Sequence, residues 1–253
     1  MRLRSQVAVI TGGTSGIGEA IALLLAQEGA AVSITGRSRD RGEAVVSKIQ
    51  QAGGKAMFIP ADSRTSQDCR RVVDETQQGF GRLDILVNNA GVFYAHTILD
   101  CPESEWDEQL DSKLKGTFLM SKLALPAMIE QGRGIIINVS SGWGLVGGDR
   151  AVAYCAANGG VVLLTKAMAI DHGPQGIRVN CICPGDVLTP MLPADAKLRE
   201  LKWEEYLAGC SNRPLGRIGT VDEIAQAALF LASDDSSFMT GATLVVDGGG
   251  TAD

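Results

Sequence analysis

The sequence predicts an α/β fold: a doubly wound parallel sheet of seven strands with helices on both faces. Three observations carry this expectation. Short apolar runs rich in β-branched residues recur along the chain, longer segments of helical period separate them, and a glycine-rich turn joins the first run to the first helical segment. The runs are continuously apolar rather than alternating, as strands covered on both faces are.

The strands are expected at Val7–Ile10, Ala31–Ile34, Ala56–Ile59, Ile85–Val87, Ile135–Val139, Val179–Ile182 and Leu244–Val246. The helical segments between them fall at about 15–27, 38–52, 65–79, 103–131, 152–172 and 222–232. The first helix carries Ala20, Ile21, Leu24 and Leu25 on one face, which marks the side turned to the sheet. The rhythm lapses only at 186–220, where Pro190, Pro193 and Pro214 surround a short helical pattern at 194–208. An excursion of that length between two βα units reads as a lid over a ligand, with Met191, Leu192, Trp203 and Tyr206 as candidate substrate contacts. A surface flap packed by its own apolar residues is the alternative.

The chain has 253 residues, 45% of them hydrophobic, which suits one domain over 1–253 with a large core. Its formal net charge of −6 argues against nucleic acid and against an anionic membrane surface, which both select clustered Lys and Arg. The apolar run after Met1 to Gln6 is too short for a signal-peptide core, and no apolar segment reads as a bilayer span, so a cytoplasmic protein is expected. The cysteines at 69, 101, 155, 181, 183 and 210 lack metal-site or disulfide spacing, so reduced packing thiols and no metal are expected.

Strand Val7–Ile10 runs into Thr11-Gly12-Gly13-Thr14-Ser15-Gly16-Ile17-Gly18 and then into the first helix. Glycine serves three needs at such a turn: positive φ, close approach of backbone to a pyrophosphate, and tight packing of helix on sheet, while the N–H groups of the helix start meet the anion. Gly12, Thr14, Ser15, Gly16, Ile17 and Gly18 are therefore candidate cofactor contacts in a Rossmann-type domain. After the second strand stands Gly36-Arg37. An acidic residue there would bind the ribose hydroxyls and repel a 2′-phosphate, whereas glycine followed by arginine leaves room for that phosphate and supplies a bidentate donor. NADP(H) is preferred on this ground, with NAD(H) as the alternative, and Arg39 is read as a solvated helix start.

These residues resemble the short-chain dehydrogenase/reductase family over nearly the whole chain, from Thr11 to Gly249. Thr11 to Gly18 resembles the family's cofactor turn. The resemblance implies that Asp62 and Ser63 contact the adenine and that Asn88-Asn89-Ala90-Gly91 closes the fourth strand beside the adenosine. Ser141 and Tyr154 have the spacing of the family's catalytic pair, and Cys183-Pro184-Gly185-Asp186-Val187-Leu188-Thr189-Pro190 resembles its nicotinamide loop, with Pro184, Gly185, Val187 and Thr189 as contacts. Tyr154 is also implied to touch the cofactor. The family's usual assembly implies a homotetramer formed through the last strand and the long helices.

The pattern breaks at one place. The family's lysine, four residues after the tyrosine, is here Asn158, and the asparagine of its long helix is here Lys113. In the family the tyrosine is acid/base, the serine polarises the carbonyl oxygen, and the lysine binds ribose and lowers the tyrosine pKa. A free phenol has a pKa of about 10, and asparagine carries no charge to lower it. A relocated lysine serves if its tip falls within about 4–6 Å of the phenol. The expected site is thus Ser141, Tyr154, Lys113 and Asn158, the last filling space and bonding the ribose or a water.

A neutral phenol donates a proton, whereas alcohol oxidation at neutral pH requires the phenolate. The expectation is an NADPH-dependent reductase acting on the carbonyl of a small, mostly apolar ketone or aldehyde, reversibly an alcohol dehydrogenase. The alternative is a catalytically impaired cofactor-binding subunit that pairs with an active relative. Phe93, Tyr94, His96 and Trp143 concentrate aromatic rings at strand ends and suggest an apolar pocket, with Asp186 or Arg150 as candidates to orient a polar substituent.

Overall fold

The computed structural model describes residues 1–252. Its strand order follows from where the chain reverses. The first strand, β1 (Val7–Thr11), pairs with β2 (Ala31–Gly36), and β2 with β3 (Lys55–Pro60). The chain then returns to the other side of β1 with β4 (Ile85–Asn88) and continues outward through β5 (Gly134–Val139), β6 (Ile177–Pro184) and β7 (Thr243–Val246). All pairings are parallel, in the order β3-β2-β1-β4-β5-β6-β7. The reversal between β1 and β4 leaves a crevice at their carboxyl ends, the place where such sheets bind ligands.

The continuous apolar runs bury both faces. Ala8 and Ile10 of β1 and Ile135 and Ile137 of β5 face a layer made of α1 (Gly16–Gln27), α2 (Arg39–Gln51) and α9 (Val221–Ala232). The intervening Val9 and Ile136 face α3 (Ser66–Phe80), α5 (Gly116–Glu130) and α6 (Val152–His172). Two side chains bind the crevice together: the buried Thr11 hydroxyl accepts from the backbone N–H groups of Asn89 at 3.0 Å and Ala90 at 3.1 Å, and the half-buried Asn89 amide donates to the carbonyls of Thr11 and Gly12.

Two elements differ from the sequence expectation. The segment 103–131 is not one regular helix: α4 (Glu103–Leu110) and α5 flank a π-helical turn at Asp111–Lys115. The pattern at 194–208 is two short helices, α7 (Met191–Leu198) and α8 (Trp203–Cys210). The segment Val152–Gln175, which contains α6, is long and apolar enough to cross a membrane by length and composition. Here it is a core helix: Val161, Val162, Met168 and Ala169 are buried, the last two packed against the sheet with α5.

Candidate active site

At the start of α1 the backbone does the positioning. Gly12 and Gly16 have φ of +63° and +57°, a region open to glycine. A Cβ on Gly18 would lie 2.3 Å from the Gly12 carbonyl oxygen, so this glycine is required by the packing of helix against turn. Ser15 stands at the N-cap without a side-chain capping bond, which leaves the first N–H groups of α1 for a ligand. Open donors at a helix start above a glycine turn, with a cavity in front of them, fit a dinucleotide pyrophosphate.

That cavity has a volume of about 650 Å³ and runs along the carboxyl ends of the strands. Gly12, Thr14, Ser15, Gly16 and Ile17 line one end, with Arg37, Asp62 and Ser63 beside them. Asn89, Ala90 and Gly91 line its floor, and Pro184, Gly185, Val187 and Thr189 its far wall. Gly18 is not in the lining, because its work is the contact with Gly12.

The adenosine end holds residues that the sequence reading passed over. Arg41, in the first turn of α2, lines the cavity with Arg37, whereas Arg39 pairs with Glu43 at 3.0 Å on an exposed face. Arg37 stands in the bend before α2 and Arg41 in its first turn, so it is the fold that brings both to the cavity. Arg64 clasps Asp62 at 2.6 Å and Glu108 at 2.9 Å, and the same Glu108 lies 3.8 Å from Arg37. The Arg64 guanidinium holds the Asp62 carboxyl below its usual range.

Beyond these, Ser141, Tyr154 and Lys113 line the same cavity. The π-helical turn carries Lys113, only 6% exposed, inward rather than to solvent. Its Nζ donates to the carbonyl oxygens of Asn89 and Ala90, both at 3.3 Å. Gly91 gives it room, since a Cβ there would lie 3.2 Å from Lys113 Cδ. Burial lowers the Lys113 pKa to about 8, opposed by the nearby thiols of Cys181 and Cys183, whose sulfurs are 3.9 Å apart. No carboxylate among the described residues pairs with it.

Asn158 is placed elsewhere. It is fully buried behind the wall and does not line the cavity. Its amide nitrogen donates to the Tyr154 carbonyl at 2.9 Å, its backbone carbonyl accepts from the Ser140 hydroxyl at 2.9 Å, and its Oδ1 has no protein partner. Of the two expected partners, the ribose does not match this position, because Asn158 lies behind the wall with its nitrogen engaged within α6 one turn back; the unpartnered Oδ1 leaves the water.

Burial raises the Tyr154 pKa, the neighbouring Ser141 hydroxyl lowers it, and the carboxylates of Asp186 and Asp195 raise it further. Tyr154 stands in an aromatic group: Phe93 meets it edge-on with centroids 5.1 Å apart, and Trp143 does so at 6.2 Å. From the segment 186–220, Met191, Leu192 and Tyr206 reach the cavity, and so does Asp195, which the sequence reading missed. Trp203 does not; it stacks on Tyr206 with centroids 5.9 Å apart. His96 is held by Glu105 at 2.5 Å and Arg150 lies 3.8 Å from Asp100, both outside the lining. Asp186 lines the cavity but is paired with Arg213.

Comparison with known proteins gives a consistent result. Residues 12–251 match a family model described as enoyl-(acyl carrier protein) reductase. The chain is 41% identical over 253 residues to an uncharacterized oxidoreductase of Thermotoga maritima, covering 100% of both. It is 39% identical over 255 residues to a cyclopentanol dehydrogenase of Comamonas testosteroni, covering 99% of each. Its backbone is similar to the crystal structure of levodione reductase, with a TM-score of 0.96, 33% identity and 99% of both chains covered.

Proposed function

The chain belongs to the short-chain dehydrogenase/reductase family of NAD(P)(H)-dependent oxidoreductases acting on CH–OH and C=O groups, and from that premise we propose that it is an NADPH-dependent reductase of a small, mostly apolar ketone, with Ser141, Tyr154 and Lys113 at the reacting end of the cavity. The observation that carries this reading is the inward-turned Lys113, a buried cation lining the same cavity as Tyr154 and Ser141.

The glycine turn and the open N–H groups at the start of α1 would hold the cofactor pyrophosphate, and Arg37 and Arg41 its 2′-phosphate. The bound nicotinamide supplies the hydride. Everything else falls to the chain. Ser141 donates a hydrogen bond that orients and polarises the substrate carbonyl. Tyr154, kept protonated by burial, donates the proton to the alkoxide oxygen, which favours reduction over oxidation at neutral pH. Lys113, fixed by two backbone carbonyls, presents its remaining N–H to the ribose, and Asn158 fixes the turn of α6 that carries Tyr154. The segment 186–220 acts as the lid, closing the cavity with Met191, Leu192 and Tyr206 over one domain. Exposed apolar side chains on α5 (Phe118), α6 (Leu163, Ile170) and β7 (Val245) support a homotetramer.

Restoring the family arrangement tests this reading. Lys113→Asn is expected to lower kcat for ketone reduction by about a hundredfold, and Lys113→Asn/Asn158→Lys to recover at least tenfold of that. Retained turnover in Lys113→Asn removes the lysine from the site. Nucleotide binding by the unaltered chain without turnover of any ketone would instead favour the impaired subunit, the reading that the raised Tyr154 pKa supports.

A further inference from the structure

The lid carries a buried polar pair that the chemistry at Tyr154 does not use. Asp195 on α7 and Tyr206 on α8 are 6% and 7% exposed, yet both line the cavity. Buried polar groups are bonded within the protein or meet a ligand, and this pair is bonded within the protein while lining the cavity.

The Tyr206 hydroxyl donates to Asp195 Oδ2 at 2.7 Å, and Arg199 Nε donates to Asp195 Oδ1 at 2.7 Å. Arg199 lies behind the lining. Its two terminal nitrogens hold the carboxylate and the carbonyl of Asp149 at 3.1 and 3.0 Å, and its guanidinium carbon is 5.8 Å from the ring centroids of both Phe93 and Trp143. Those rings are the ones that flank Tyr154. Arg199 thus fixes the position of Asp195 relative to the phenol.

Each carboxylate oxygen accepts about two hydrogen bonds, and each oxygen of Asp195 has one from the protein. The Tyr206 oxygen has committed its proton to Asp195 and keeps only acceptor capacity. Burial and the carboxylate raise its pKa, so the proton stays in place. Toward the cavity the pair therefore offers acceptors and no donor. A carboxylate or phosphate on the substrate would meet like charge and find no N–H or O–H. A hydroxyl finds an acceptor at no cost of a buried charge; an ammonium finds one too, but Arg199, shared with Asp149, offsets part of the Asp195 charge, and the ammonium loses its hydration on entering the wall.

We infer that Asp195 and Tyr206 form a recognition site for a hydroxyl group borne by the substrate away from its reacting carbonyl, so that this chain acts on neutral hydroxy ketones and the matching diols and discriminates against keto acids. This rests on the proposed reductase reading, since it places the reacting carbonyl at Tyr154.

A matched series of ring ketones tests it: 4-hydroxycyclohexanone, cyclohexanone, 4-aminocyclohexanone and 4-oxocyclohexanecarboxylate. The hydroxy ketone is expected to exceed cyclohexanone in kcat/KM by at least about tenfold, chiefly through KM, with the keto acid lowest. Asp195→Asn, whose amide brings a donor to the wall, should move the hydroxyl preference toward one and raise the keto acid relative to the hydroxy ketone. Tyr206→Phe should weaken the preference less. The comparison on the unaltered chain needs no variant to fold, and calorimetric titration of the same ketones reads the pair whatever the turnover. Preferential binding of the hydroxy ketone without turnover fails only the reductase reading. Equal kcat/KM and equal affinity for hydroxy ketone and cyclohexanone overturn the recognition site, as does a preference for the amino or the acid compound.

Discussion

The two ends of the cavity are built differently: the end at the start of α1 presents backbone, and the end at Tyr154 presents side chains, Lys113 among them on a π-helical turn. At the first, Gly12, Gly16 and Gly18 meet steric demands that no other residue satisfies as well. At the second, the cation depends on a π-helical turn, a pair of backbone carbonyls and a glycine opposite. Backbone sites leave their demands in the residue types, and side-chain sites leave them in the geometry. The difference predicts that lesions at the first end are severe and local, while those at the second are graded and respond to pH.

The largest effect is expected from Gly18→Val. Its side chain would begin 2.3 Å from the Gly12 carbonyl oxygen, so α1 must move off the turn that its N-terminus faces. Nucleotide affinity measured by fluorescence titration should fall by at least about a hundredfold, because the donors to the pyrophosphate lose their place. A variant that binds normally would show that the helix start does not hold the phosphate.

A smaller and more selective effect is expected at the adenosine end. Arg37→Ala and Arg41→Ala should each raise the KM for NADPH by about tenfold and leave that for NADH within about twofold, since only the former carries the 2′-phosphate. Equal effects on both nucleotides would remove these arginines from phosphate recognition. The exposed Arg39, engaged with Glu43, serves as the neutral comparison.

The same contrast explains what was legible in the sequence. The parallel sheet is written in the continuous apolar runs, because strands such as β5 bury Ile135 and Ile137 on one side and Ile136 on the other. The glycine turn is legible for the steric reasons above. The exchange of lysine and asparagine was visible as residue types, but not where the two side chains go. The apolar period of 103–131 reads as one helix and gives no sign of the π-helical turn that carries Lys113 inward, and Asn158 reads as a cavity residue until α6 turns it behind the wall. Asp195 was missed because its role depends on α7 and α8 folding back so that Tyr206 and Arg199 converge on it, a contact between segments that no local pattern encodes.

The smallest effect concerns protonation. A lysine lowered from its usual 10.5 to about 8 by burial binds a proton less readily in the folded chain than in the unfolded one. Between those two values the unfolded state carries more protons, so this group makes stability rise with pH through that window, and its adverse contribution is complete below about pH 8. Lys113→Met removes that dependence, and the difference in Tm between unaltered chain and variant should narrow as pH rises from 8 toward 10. Function should move the opposite way. Above about pH 8 the ammonium is lost, and with it the charged donor to the ribose, so the Kd for NADPH should rise by about threefold between pH 7 and pH 9 in the unaltered chain and stay flat in Lys113→Met. Opposite slopes in stability and affinity, both abolished by one substitution, mark a cation kept buried at a cost to the fold because the site uses it. If both slopes persist in the variant, another group is titrating and Lys113 is a passive part of the wall.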